Sequence, residues 1–186
     1  EPGDTRRVTA LAHWFDGYRA ELGNHHRNED RIFFPALRAK HAAFAELDDA
    51  LVAEHQRLDE VLDELAATLA RWAVASDSCE LQARSLDLAV ELHDLLRTHL
   101  DVEDAEALPL LASELTATEY AELEARMLKD LELRQALFTV PWFMASVGPE
   151  AAAAALATAP LPMRLVYRAT RRRYAKLWHE AFCSCV

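Results

Sequence analysis

Five side chains able to bind a metal stand where helical stripes of apolar residues should continue. His25 and Glu29 fall between Leu22 and Ile32, His55 falls between Leu51 and Leu58, and His99 and Glu103 follow Leu95. Buried imidazoles and carboxylates are costly unless they pair or bind a cation. The pattern His-x-x-x-Glu-Asp occurs twice, once as His25, Glu29 and Asp30 and again as His99, Glu103 and Asp104. A spacing of four puts His and Glu on one helix face, one turn apart. Imidazole beside carboxylate suits iron, manganese or zinc. Asp104 rivals Glu103 as the donor that follows His99.

These residues can be tested for a common level. In antiparallel helices joined by short turns, side chains at one level are equidistant from the turn between them. His55 and His99 have their midpoint at residue 77, within Ser76-Asp77-Ser78. His25 and His55 have theirs at residue 40, ahead of Phe44. Three histidines and two glutamates therefore converge at one height of a bundle. A buried His–Glu hydrogen-bond network that only sets helix register is the competing reading. His26, Asp30 and Glu54 flank the stripe and read as outer partners or solvent-facing groups. His13 lies 12 residues before His25, about 18 Å along the same helix, too far to join. His93 points elsewhere. No Glu-x-x-His is present, which argues against a ferritin-like di-iron site.

The elements that must hold these donors are helices. The first runs from an Asp4 N-cap to about Lys40, with Val8, Leu11, Phe15, Tyr18, Leu22, Ile32 and Ala36 as its stripe. Pro35 should bend or end it near its last turn. The second spans about 44–74, with Leu51, Leu58, Leu62, Leu65 and Leu69. The third spans about 80–111. Thr116 and Glu119 form a capping box for a fourth, reaching about Leu137. Val140-Pro141-Trp142-Phe143 reads as a connector. An alanine-rich helix at about 150–158 and a basic amphipathic helix at about 163–182 close the chain. The domain reading is a metal-binding bundle over 1–115 and a helical extension over 116–186, packed on it.

Composition fits that picture. The 186 residues include only four glycines, too few for a turn-rich β fold. The net charge of -11 excludes nucleic-acid binding by the surface as a whole. The charge is uneven: residues 161–186 carry +5 and residues 1–160 carry -16. The basic tail helix is expected to lie against the acidic body. No 18-residue apolar run is present, so no transmembrane segment is expected. Three cysteines without a framework spacing, Cys79, Cys183 and Cys185, suggest a reducing, cytoplasmic setting. Glu1-Pro2-Gly3-Asp4 has turn chemistry, and the natural chain is expected to extend upstream with a further helix and His.

His25-x-x-x-Glu29-Asp30 followed by Phe33-Phe34-Pro35, then Glu54-His55, then His99-x-x-x-Glu103-Asp104 with Leu108-Pro109, resembles the hemerythrin-like (HHE cation-binding) family. The resemblance covers residues 5 to about 112. It implies an all-α, up-down four-helix bundle with additional C-terminal helices, like an extension found in actinobacterial members. It further implies a non-haem di-iron centre, with zinc or manganese as possible substitutes. By position, His25 and His99 would be terminal ligands, Glu29 and Glu103 bridges, His55 the ligand of the next helix, and Asp104 the other candidate bridge. Two departures stand out. Leu51 occupies the place where oxygen carriers have a second histidine, and the family's first helix is not in this sequence. Fewer imidazoles at one iron favour reactivity or sensing over oxygen carriage. The function implied is binding of, or reaction with, dioxygen, hydrogen peroxide or nitric oxide, by a monomer or homodimer. Whether it is an oxidoreductase or a metal-dependent sensor without turnover stays open.

Overall fold

The computed structural model describes residues 4–129 and 132–183. It is all-α, and no strand occurs among the described residues. Among the described residues the α-helices follow in order: α1 Thr5–Asn28, α2 Phe34–Lys40, α3 Ala45–Val74, α4 Cys79–Val102, α5 Leu108–Glu114, α6 Ala117–Lys129, α7 Leu133–Ser146, α8 Pro149–Thr158 and α9 Leu161–Phe182. Asp4 caps α1 by accepting the Arg7 amide at 3.0 Å. Thr116 and Glu119 close the expected capping box: Glu119 Oε2 takes the Thr116 amide at 2.9 Å, and Thr116 Oγ1 takes the Glu119 amide at 3.3 Å.

Two expected boundaries differ. The helix from the capping box ends at Lys129, and α7 begins afresh at Leu133. The Pro-Trp-Phe stretch is not a connector but lies inside α7, with Pro141 buried in its middle. Cys185 and the Glu1–Gly3 turn fall outside the described residues.

Pro35 does not end its helix either. The turns before Pro35 and Pro109 are widened into π segments, Glu29–Phe33 and Glu103–Ala107. In each, the carboxylate residue's carbonyl accepts an amide five residues on, from Phe34 and from Leu108. Proline has no amide to donate and its ring crowds the preceding turn. One residue of slack accommodates both defects, so the helix carries on. Both widened turns begin at the glutamate of a His-x-x-x-Glu motif.

The chain divides into two compact units. One comprises Glu1–Glu21, Leu69–Ser78 and Leu131–Val186; the other comprises Leu22–Thr68 and Cys79–Asp130. The second holds 9 Lys and Arg against 23 Asp and Glu, or -14; the first holds 11 against 8, or +3. Below the donor level, the second unit is closed by a core of Phe34, Leu37, Phe44, Leu51 and Ala107, all almost completely buried. In the first unit, the start of α1 packs on α7 and α9 through aromatic rings. Trp14 stacks on Tyr18 at 5.4 Å and meets Phe182 edge-on at 4.9 Å. Its indole N–H donates to the Tyr174 hydroxyl at 3.1 Å. Arg6 pairs with Glu180. Arg164, Arg168, Arg171, Arg172 and Arg173 make no ion pair among the described residues. Within its unit the tail helix is thus seated by aromatic packing together with the Arg6–Glu180 ion pair.

Candidate metal centre

All donors lie in the second unit: the histidines on the last turns of α1 and α4 and in α3, and Glu29 and Glu103 at the start of the two π segments. They form two trios. Donor atoms of His26, His55 and His99 lie within 4.8 Å of one another, and so do those of His25, Glu29 and Glu103. The first trio is buried throughout: His26 is 1% exposed, His55 2% and His99 2%. His26 stacks on His55 with ring centroids 4.3 Å apart, and His99 meets His55 edge-on at 4.8 Å.

Each buried imidazole is held by a carboxylate at Nδ1. His26 Nδ1 donates to Asp59 at 3.3 Å, His55 Nδ1 to Asp30 at 2.7 Å, and His99 Nδ1 to Glu54 at 3.0 Å. A carboxylate accepts but cannot donate, so Nδ1 carries the proton and the lone pair of a neutral ring is left on Nε2. All three Nε2 atoms are buried and make no hydrogen bond among the described residues. The same holds for Glu29 Oε2 and Glu103 Oε1. Five buried, unsatisfied donor atoms at one place are costly. A cation bound among them removes that cost, so the residues fit a metal. Carboxylate–histidine pairs of this kind orient and strengthen metal ligands.

Glu29 and Glu103 stand between the trios. Glu29 Oε1 is 3.2 Å from His25 Nε2, while Oε2 is 3.6 Å from His55 Nε2. Glu103 Oε1 is 3.4 Å from His99 Nε2. Burial, reinforced by the charge of Glu103, pushes the Glu29 carboxyl up to about 8. Burial and the neighbouring His55, His25 and His99 rings pull His26 down to about 3. Burial opposes charge on His99, but the carboxylates of Glu103 and Glu54 outweigh it and raise this imidazole. Burial likewise opposes charge on Glu103, yet His99 with the other imidazoles lowers it. Burial, with a like-charged neighbour in each case, thus favours a protonated Glu29 and a neutral His26.

Of the residues singled out in the sequence, His25, Glu29, His55, His99 and Glu103 are brought together. Asp104 is exposed and joins neither trio. His13 and His93 are exposed and apart. Asp30 and Glu54 accept from His55 Nδ1 and His99 Nδ1. His26, expected as an outer partner or solvent-facing group, is buried and grouped with His55 and His99, whereas the His25 side chain is 47% exposed. A signal was available. Val8, Phe15 and His26 are spaced by 7 and 11 residues, five helical turns in all at 3.6 residues per turn. Anchoring the stripe on Ile32, beyond the π segment, selected His25 instead. Leu51 is fully buried in the apolar core.

The family model of the hemerythrin HHE cation-binding domain matches residues 1–111. No curated protein and no solved structure matches the chain significantly.

Proposed function

Since the chain belongs to the hemerythrin HHE cation-binding family, a helical-bundle family with further helices here at the C-terminus, we propose that it holds a non-haem two-iron centre that binds or reacts with a small oxidant. The observation that carries this reading is the convergence of three buried, unsatisfied Nε2 atoms, each on a ring fixed by a carboxylate. His26, His55 and His99 would hold one ion. His25, Glu29 and Glu103 would hold the other, with the two glutamates shared between the ions.

Iron, when bound, supplies the electrons and open coordination for dioxygen, hydrogen peroxide or nitric oxide. The protein's residues set the conditions. Asp30, Glu54 and Asp59 keep the imidazoles in the ligating tautomer. Phe34, stacked 6.1 Å from His55, with Leu51 and Ala107 closes the inner end against water. Glu29, whose carboxyl is pushed up to about 8, would give up its proton to bind a cation. The half-exposed His25 leaves that side open to a small solute.

Metal analysis of purified protein tests the reading. Two irons per chain and a near-ultraviolet band are expected, followed by consumption of hydrogen peroxide by the loaded protein. Metal without turnover would favour a sensor that binds its oxidant. Protein that takes up no iron in His26→Ala, His55→Ala or wild-type form alike would remove the proposal.

A further inference from the structure

The first unit contains an open cleft of about 560 Å³ between α1, the start of α7 and the middle of α9. That volume is within the range of small-molecule sites. Its floor is apolar. Phe138 lies flat on α1 at Gly17, where a Cβ would come within 2.4 Å of the ring. Tyr174 meets Phe138 at 5.8 Å, and Leu177 extends the surface. The Tyr174 hydroxyl already accepts from Trp14, so the ring is fixed in place.

The rim is cationic. Arg19, Arg134 and Arg173 reach it from α1, α7 and α9, and His13 stands beside them. Asp16 compensates Arg19 at 3.0 Å. Arg134 and Arg173 have no acidic partner among the described residues, and Glu132 is the other acid on the rim. Its three arginines and two carboxylates therefore leave about one uncompensated positive charge on the cleft. Guanidinium groups select carboxylates through paired N–H donors, and an aromatic floor selects an apolar body.

We propose that this cleft binds a small organic monocarboxylate, its carboxylate on Arg134 and Arg173 and its apolar part on Phe138, Tyr174 and Leu177. The charge count favours a monoanion, and the floor disfavours a bare inorganic ion.

Calorimetric titration of the full chain with benzoate, benzamide and inorganic phosphate tests this. Benzoate is expected to bind at least tenfold more tightly than either of the others. Arg134→Ala/Arg173→Ala is expected to weaken it at least tenfold while leaving the far-ultraviolet spectrum and melting temperature unchanged, because both arginines are exposed. Benzoate bound at the metal donors would survive that double substitution, and such survival would overturn the proposal. So would benzamide or phosphate binding as well as benzoate, or no binding of benzoate at all.

Discussion

Asp59, Asp30 and Glu54 decide which nitrogen of each buried imidazole remains for a metal, so a change to these carboxylates should act without touching a ligand. Asp30→Asn replaces an anionic acceptor with a neutral amide against His55 Nδ1. Metal affinity should fall by the ~10–100-fold usual for such outer partners, read by competition with a chromophoric chelator. His26→Ala should cost more than His13→Ala, which should be neutral; equal metal content in the two variants would count against His26 as a ligand. The metal-free protein should also show a distinctive pH profile. His26, neutral in the fold down to about 3, makes stability rise with pH from there to its unfolded value near 6.5. Glu29 is raised to about 8, so the folded state holds a proton that the unfolded state loses above about 4.5, and stability declines across that span. The two slopes oppose each other between about 4.5 and 6.5. A rise, a plateau and then a fall toward pH 8 are expected in urea melts. The raised His99 adds to the fall and the lowered Glu103 to the rise. Glu29→Gln should weaken the decline above pH 6.5.

At the scale of the element, Gly17 illustrates how two effects are weighed. Alanine raises helix propensity by about 0.8–1 kcal/mol over glycine. Here its Cβ would sit 2.4 Å from the Phe138 ring, which is pinned by Trp14 and Tyr174, and overpacking typically costs 1–3 kcal/mol. Gly17→Ala should therefore lower the melting temperature, and a rise would mean that the ring gives way freely. Much of the helical order was legible, because stripes such as Leu51, Leu58, Leu62, Leu65 and Leu69 repeat with the period of the helix, and all five are buried. The identical level of His55 and His99 was legible because one short turn joins α3 to α4. What the pattern hid came from proline. Pro35 and Pro109 slip the hydrogen-bond ladder by one residue just after each glutamate, and a 3.6-residue count carried across such a slip points to the wrong neighbour. That is why His25 was preferred to His26. Pro141 misled in the opposite direction, since a missing amide is tolerated where neighbouring helices already hold α7 in place.

For the whole molecule, the tail helix is the part whose removal should be felt furthest from itself. Tyr174 and Phe182 cover Trp14. A chain ending at Ala159 loses both and bares Trp14 and Phe138. It should aggregate on mild heating, seen as light scattering at temperatures where the full chain stays clear. A truncated chain as stable as the parent would show that the aromatic contacts of α9 are dispensable.

The sign of the charge around the donors sorts solutes before any reaches them. The unit that contains both trios carries -14, a potential that concentrates ferrous ions and keeps anions away. Dioxygen, hydrogen peroxide and nitric oxide are uncharged and arrive unaffected, whereas superoxide and peroxynitrite are turned back. Raising the ionic strength should therefore slow iron uptake, leave the rate with hydrogen peroxide unchanged, and speed any reaction with superoxide. Stopped-flow rates across a salt series would separate these three responses in a single protein preparation.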